Sequence, residues 1–178
     1  NVLVTAGPTR ESIDPVRFLS NRSSGKMGYA LAKVARDFGA QVDLVSGPVN
    51  LTAISQINIH KVETANEMNI NIQNLLKIKK YDYIFMAAAV ADYYKEDIPS
   101  KKIKKDGKKL DIHLVKSPDI LKNISSQSNA QIIGFALETD DGENQALLKL
   151  KNKNLDYIVL NYANEEGAGF GSNTNHVF

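Results

Sequence analysis

The sequence predicts a three-layer, doubly wound α/β domain of Rossmann-like architecture with a mostly parallel sheet. Two observations lead to this prediction. Short runs rich in β-branched and aromatic residues alternate with segments of helical period, which is the pattern of a parallel sheet covered by helices. The first run, Val2–Ala6, is apolar apart from one threonine, as expected of a central strand buried on both faces. We therefore expect ligands to bind where strands end and helices begin.

The individual elements follow from hydrophobic spacing and from cap signals. A helix begins near Met27 and ends before Gly39, a residue that favours helix termination. Thr64 and Glu67 have capping-box spacing at the start of a second helix. Ser117, followed by a proline, is expected to cap a third helix. The predicted strands cover 2–6, 41–46, 83–90, 131–137 and 156–162, and a fourth helix covers 143–154.

The composition indicates an ordinary globular protein. Its 178 residues suit one compact domain over 1–178, and 43% apolar with 24% charged residues argue against a disordered or collagenous chain. The absence of cysteine excludes disulfides and thiolate sites and is consistent with a reducing, cytoplasmic compartment. No run approaches the length of a membrane helix, so no membrane association is expected. Because the sequence opens inside a strand without Met, we expect a domain excised from a longer chain.

Positive charge is concentrated in one segment. The protein has 22 Lys and Arg against 20 Asp and Glu, a net charge of +2. The Lys-rich segment (residues 101–109) holds six lysines and one aspartate, which is +5 and leaves −3 for the rest. It lies within 91–116, a stretch without sustained periodicity that predicts a long mobile loop. The lysines of such a loop either bind the phosphate groups of a ligand or simply face solvent. The segment lacks the interleaved aromatic residues with which nucleic-acid-binding surfaces stack on bases.

The segment 7–28, after the first strand, is the first candidate site. It contains Arg10, Arg17 and Arg22, three of the four arginines of the protein, and arginine suits forked binding of phosphate or carboxylate. A second feature is the expected N-terminus of the following helix, where backbone N–H groups can bind an anion. We favour anion binding there over simple helix capping, and the residues concerned are Ser23, Ser24, Gly25 and Gly28. Neither the glycine fingerprint of dinucleotide-binding domains nor a P-loop is present. This absence argues against the alternative function on this fold, an NAD(P)-dependent oxidoreductase.

Two further candidates follow later strands. Small residues at 87–91 lead to Asp92, a carboxylate that could contact a ribose or a metal ion, or simply form a packed turn. Lys149, Lys151 and Lys153 lie on the last predicted helix, where surface charge alone would explain them. A non-catalytic anion-binding or nucleic-acid-binding module is the remaining alternative for all these lysines.

Five motifs occur in a fixed order: GPTRESIDPVRFLSNRSSGKMG, AAAVADYY, KIKK, KSPDIL and IIGFALET. In this order and spacing they closely resemble bacterial phosphopantothenoylcysteine synthetases, along essentially the whole chain. The resemblance implies a CTP-dependent ligation of cysteine to 4′-phosphopantothenate through an acyl-cytidylate, with Mg²⁺ or a similar divalent cation. It also implies a homodimer with shared active sites and fusion to a flavin-dependent decarboxylase.

The resemblance also implies roles for individual residues. Asn21 corresponds to the asparagine whose amide contacts the acyl-cytidylate, Arg17 to an arginine of the acyl-substrate site, and Lys102 to the mobile-loop lysine that reaches the CTP phosphates. The residues that match the nucleotide site are Met86, Ala87, Ala88, Asp92, Pro118, Asp119, Ile120, Leu121, Phe135, Lys149 and Lys153. Metal ligands are not assigned.

Overall fold

The structure is a computed structural model that describes residues 1–105, 107, 109–165, 172 and 174–178. Asp106 and Lys108 of the Lys-rich segment lie outside the described residues. Its elements are β1 (Val2–Ala6), β2 (Arg10–Ser12), β3 (Phe18–Ser20), α1 (Lys26–Asp37), β4 (Val42–Ser46), β5 (Asn58–Lys61), α2 (Ala65–Ile78), β6 (Tyr83–Met86), β7 (Tyr93–Tyr94), β8 (Val115–Lys116), α3 (Ile120–Ser125), β9 (Gln131–Glu138), α4 (Gly142–Asn152) and β10 (Tyr157–Tyr162).

Six strands form one parallel sheet in the order β10-β9-β6-β1-β4-β5. The chain starts in the middle at β1, proceeds to one edge through β4 and β5, and then returns to build the other half from β6 outward. This is the doubly wound order, in which the direction of winding reverses between β1 and β6. The predicted α/β Rossmann-like fold is confirmed.

Apolar side chains on both faces of the sheet explain why helices cover it on two sides. On one face, Val4 and Leu44 pack with Ala32 of α1. On the other face, Leu3 packs with Met68 of α2 and with residues of α3. Each such fully buried aliphatic side chain contributes about 2 kcal/mol to folding. Of the helices in the described ranges, none is long and apolar enough to cross a bilayer.

The structure differs from the predicted elements in several places, and it adds the short antiparallel pairs β2–β3 and β7–β8 within stretches predicted as loops. The third predicted strand, 83–90, ends at Met86, where its pairing with β1 stops. The edge strand β5 was not predicted, because its polar sequence NIHK carries no strand pattern. The cap of α3 is Asp119, whose side chain accepts a hydrogen bond from the Lys122 N–H, and not Ser117. The Thr64 cap of α2 is confirmed, since its hydroxyl accepts from the Glu67 N–H.

Candidate active site

A cleft of about 930 Å³ opens at the carboxyl ends of β1 and β6. The first loop (residues 7–25) follows β1, and the floor loop (residues 87–91) follows β6. The cleft therefore lies where the strand order reverses, the position at which open α/β sheets bind ligands. Residues that are far apart in the chain meet there. The predicted site residues that line the cleft are Asn21, Ser23, Ser24, Gly25, Gly28, Met86, Ala87, Ala88, Asp92, Pro118, Asp119, Ile120, Leu121, Phe135, Lys149 and Lys153.

Two buried threonines hold the floor loop. The Ala88 N–H donates to the Thr5 hydroxyl at 3.1 Å, and the Ala91 N–H donates to the Thr9 hydroxyl at 3.0 Å. Both threonines are 0% exposed. Ala89 still pairs with the backbone of the first loop, and the two threonine hydroxyls accept from the N–H groups on either side of it. Sequence reasoning missed Thr5 and Thr9, although a threonine inside the otherwise apolar run of β1 was a usable signal.

Asn21 bridges the first loop and the floor loop. Its Nδ2 donates to the Ala89 carbonyl at 3.1 Å and to the Val90 carbonyl at 3.0 Å. Because the two amide hydrogens are directed at two carbonyl oxygens, the amide oxygen Oδ1 is the group of Asn21 that can meet a ligand in this conformation. The contact of the amide with an acyl-cytidylate, implied by the family resemblance, stays a prediction.

Helix α1 points its N-terminus into the cleft. Gly25 is its N-cap with φ of 78°, and in the described part of the chain no side chain caps this end. A Cβ on Gly28 would lie 2.5 Å from the Ala6 Cβ, so glycine there allows α1 to approach β1 closely. The close packing accounts for Gly28, while the positive end of the helix dipole and the lining Lys26 favour an anion at this wall.

The opposite wall is built from α3 and α4. Lys153 forms an ion pair with Asp119. Lys149 Nζ donates to the Phe135 carbonyl at 2.6 Å, and burial lowers the pKa of its ammonium group. Burial raises the pKa of Asp119, but the hydrogen bond from Lys153 opposes it and the net shift is downward. These lysines are thus held toward the cleft by contacts that the sequence pattern did not reveal.

The charges that line the cleft favour an anionic ligand. Among the described residues, four lysines and two aspartates line it, and they are Lys26, Lys116, Lys149, Lys153, Asp92 and Asp119. No group of three or more acidic or histidine side chains within the described ranges forms a metal-binding cluster.

Arg17 and Lys102 lie outside the cleft wall. The Arg17 guanidinium donates to Asp14 Oδ2, at 3.0 Å from Nε, and to the Ile103 carbonyl at 3.0 Å. Lys102 is exposed in the Lys-rich segment. Sequence reasoning missed Asp14, which is buried although aspartate is rarely so.

The two other arginines of the first loop also lie apart from the cleft in the described structure. The Arg10 guanidinium stacks on the Phe18 ring, 4.6 Å from its centroid, and lies 3.8 Å from Glu63. Arg22 is exposed. The expected arginine cluster is therefore dispersed, and lysines supply the positive charge of the cleft walls.

The family model for the DFP domain, described as the DNA/pantothenate metabolism flavoprotein C-terminal domain, matches residues 1–178. The coenzyme A biosynthesis bifunctional protein CoaBC of Vibrio parahaemolyticus is 45% identical over 181 residues, which cover 99% of this chain and 45% of that protein. The corresponding protein of Escherichia coli is 41% identical, over 100% of this chain and 45% of its own length. The chain thus spans less than half the length of these relatives.

Solved structures show the same fold. The crystal structure of the C-terminal domain of a CoaBC protein has a TM-score of 0.78 and 42% identity, and the match covers 90% of this chain and 76% of that one. A Cab2 mutant in complex with phosphopantothenate-cysteine has a TM-score of 0.79 over 99% of this chain and 79% of that one. At 19% identity, the second likeness concerns the fold alone.

Proposed function

Because the chain belongs to the DFP family, the DNA/pantothenate metabolism flavoprotein C-terminal domain, we propose that it ligates cysteine to 4′-phosphopantothenate in coenzyme A biosynthesis, using CTP. The observation that carries the proposal is the cleft at the switch point of the sheet. It joins Asn21 and the floor loop to the KSPDIL segment, Lys149 and Lys153. A relative that is 45% identical is named for coenzyme A biosynthesis, which supports this function.

The proposed reaction has two steps. The carboxylate of 4′-phosphopantothenate attacks the α-phosphate of CTP, the α–β phosphoanhydride bond breaks, and pyrophosphate leaves with the electron pair. The amine of cysteine then attacks the acyl carbon of the acyl-cytidylate, loses a proton and expels CMP. Because the first step brings two anions together, it needs fixed positive charge and in-line positioning. The four cleft lysines and the α1 N-terminus are suited to offset that charge.

The nucleotide base fits the wall formed by α3 and β9. Residues 118–121 run into the first turn of α3, where backbone N–H groups lack acceptors within the helix, so this segment can present polar backbone groups to the base edge. Phe135 supplies an apolar surface beside them. We assign the cytosine to residues 118–121 and Phe135, the ribose to the floor loop, and the phosphates to the α1 N-terminus and the lysines.

A divalent cation such as Mg²⁺ fits this arrangement. Asp92 is the exposed carboxylate on the cleft wall, and Mg²⁺ is commonly held by one or two carboxylates together with substrate phosphates and water. When bound, the ion would neutralise charge on the departing pyrophosphate. Asp92 would orient it, while Lys149 and Lys153 would hold the α-phosphate from the opposite wall.

Lys102 and Arg17 belong to the proposal as groups that act from outside the cleft wall. Lys102 lies on the Lys-rich segment, whose closure would bring its ammonium group to the triphosphate only after the substrates have bound. Arg17 would contribute to the acyl-substrate site. We further propose that two copies of the chain share their active sites and that a flavin-dependent decarboxylase is fused to it, as the bifunctional name of its relatives suggests.

The decisive experiment measures pyrophosphate release from 4′-phosphopantothenate, Mg²⁺ and either CTP or ATP, without cysteine. We expect a burst with CTP, followed by steady turnover once cysteine is added. Lys102→Ala should abolish the burst, whereas the exposed Lys80→Ala serves as the matched control and should retain it. Absence of pyrophosphate release by the parent chain with both nucleotides would contradict the ligase function.

A further inference from the structure

One buried carboxylate connects the first loop to the Lys-rich segment. Asp14 Oδ1 accepts hydrogen bonds from the N–H groups of Val16 and Arg17, both at 2.9 Å, and these bonds close a local turn. The second oxygen, Oδ2, is directed away from that turn. It accepts from Arg17 Nε at 3.0 Å and from the Ile103 N–H at 3.1 Å. The local turn therefore leaves one carboxylate oxygen to a partner 89 residues further along the chain.

The same ion pair holds the carbonyl group of Ile103. Arg17 donates to that oxygen at 3.0 Å while its guanidinium also contacts Asp14 at 2.5 Å. Both backbone groups of one residue are thus bound by the Asp14–Arg17 clamp, by which we mean these two paired side chains. Ile103 stands between Lys102 and Lys104, so the clamp is attached at the centre of the KIKK motif.

The environment of Asp14 makes this attachment dependent on charge. Its side chain is 0% exposed, whereas that of Arg17 is 37% exposed. A buried carboxylate has no water to solvate it and requires donors from the protein. The Arg17 guanidinium holds the pKa of Asp14 well below its usual range, so the carboxylate stays ionised. Hydrogen bonds to an ionised acceptor are stronger than neutral ones, which favours a firm attachment of Ile103.

We propose that Asp14 is a positioning residue which, with Arg17, docks the Lys-rich segment at Ile103 and so sets the place from which Lys102 reaches its substrate. The role of Lys102 toward a nucleotide rests on the proposed ligase function. The docking of the segment is independent of that function, because it consists of contacts within the chain. Asp14 acts through the backbone of Ile103 and touches no reacting atom.

Limited digestion with trypsin tests the docking without any substrate. The Lys-rich segment offers six lysines to the protease, and docking at Ile103 protects them in proportion to the population of the bound state. Asp14→Asn removes the charge, and Ile103→Pro removes the N–H donor while leaving Asp14 and Arg17 intact. We expect each to raise the initial cleavage rate at the Lys104–Lys105 bond by about tenfold or more, the factor for a hydrogen bond to a charged group. This bond is followed because trypsin does not cleave the bond after Lys102 once Ile103→Pro places a proline behind it.

Matched controls separate the clamp from general effects. Asp37→Asn removes an exposed aspartate that also pairs with an arginine, Arg36. Leu110→Pro places a proline just beyond the other end of the same segment, where it likewise blocks one tryptic bond, the one after Lys109. Both controls should be cleaved at the Lys104–Lys105 bond at the parental rate. If Asp14→Asn and Ile103→Pro are also cleaved at that rate, the docking is overturned. Ile103→Pro keeps this test informative even if Asp14→Asn fails to fold.

Steady-state kinetics test the positioning role. Because Lys102 is expected to act in the transition state, both variants should lower kcat for pyrophosphate release by about tenfold or more, with KM for CTP changed by less than about threefold. Faster cleavage with unchanged kcat would overturn the positioning role and leave the docking in place. If the parent releases no pyrophosphate, the proposed function fails, and the digestion result still decides on the docking.

Discussion

At the scale of single residues, Asn21 carries the most direct connection between the two loops of the cleft. Its Nδ2 donates to the carbonyls of Ala89 and Val90, so the amide holds the floor loop through both of its hydrogens. Thr9 holds the same loop from beneath through the Ala91 N–H. The geometry of the floor loop therefore depends on a few uncharged side chains.

We predict that Asn21→Asp lowers overall ligation by about 10² or more, because the floor loop loses both hydrogen bonds from the amide and a small displacement of positioning groups has this cost. The aspartate cannot donate, and its carboxylate would face two carbonyl oxygens at hydrogen-bond distance. The measurement compares pyrophosphate release without cysteine to product formation with cysteine, because a change in handling of the intermediate affects the second more. Asn144→Asp on the exposed face of α4 is the control, and an Asn21→Asp chain with parental turnover would contradict the assigned role.

At the scale of elements, Asp43 explains how the polar strand β5 joins the sheet. Asp43 is on β4, and its carboxylate accepts from Asn58 at 3.2 Å and His60 at 3.1 Å, both on β5. Lys79 at 2.7 Å and Tyr81 at 2.9 Å donate to its other oxygen from the segment after α2. One buried carboxylate thus ties together two strands and a helix end.

This network predicts a loss of stability in acid. Burial raises the pKa of Asp43, but the hydrogen bonds from its four partners outweigh burial and lower the pKa to about 2. A folded-state pKa below the unfolded value of about 3.9 means that the contribution is present above about pH 4 and is lost as the pH falls toward 2. The shift corresponds to about 2 kcal/mol of the free energy of unfolding.

Urea unfolding of Asp43→Asn against the parent measures this contribution. We expect Asp43→Asn to lower the free energy of unfolding by about 2 kcal/mol at pH 7 and by about half as much at pH 3. Asp97→Asn, at an exposed site, should leave the free energy of unfolding unchanged at both values. A difference that is the same at pH 7 and pH 3 would show that the ionised carboxylate is not the source of the stability.

At the scale of the whole molecule, the β2–β3 hairpin exposes apolar side chains that one copy of the chain does not cover. Val16 is 61% exposed, Phe18 49% and Leu19 38%. The neighbouring β7 strand contacts β2 and adds Tyr93, which is 51% exposed. Clustered exposed apolar groups are typical of a protein–protein interface and support the proposed association of two copies.

We predict that the chain sediments as a dimer and that Phe18→Glu shifts it toward monomer, because the charge would be buried at the interface. Phe38→Glu is the matched control, since Phe38 is 88% exposed at the end of α1, away from this hairpin. Analytical ultracentrifugation over a range of concentrations measures both variants. A parent chain that stays monomeric at every concentration, or a Phe18→Glu variant that associates like the parent, would contradict this surface assignment.

Part of the candidate site follows from local sequence, which places Asp92 at the end of a strand, and part from the family resemblance, which alone indicated Asn21, residues 118–121 and Lys153. Asn21, Asp92, residues 118–121 and Lys153 all line it as expected. Arg17 does not, because a buried aspartate three residues earlier binds its guanidinium. No local pattern reveals that an arginine will pair with a buried carboxylate.

The sequence by itself determined the fold class, five of the six strands of the sheet and the cap of α2, because hydrophobic period and capping depend on residues a few positions apart. Only the tertiary structure decided the strand order, the inclusion of β5 and the attachment of Ile103 to Asp14. Each of these depends on pairing between residues that are distant in the chain. The stability of such pairs comes from burial and hydrogen-bond satisfaction, which exist only once the chain has folded.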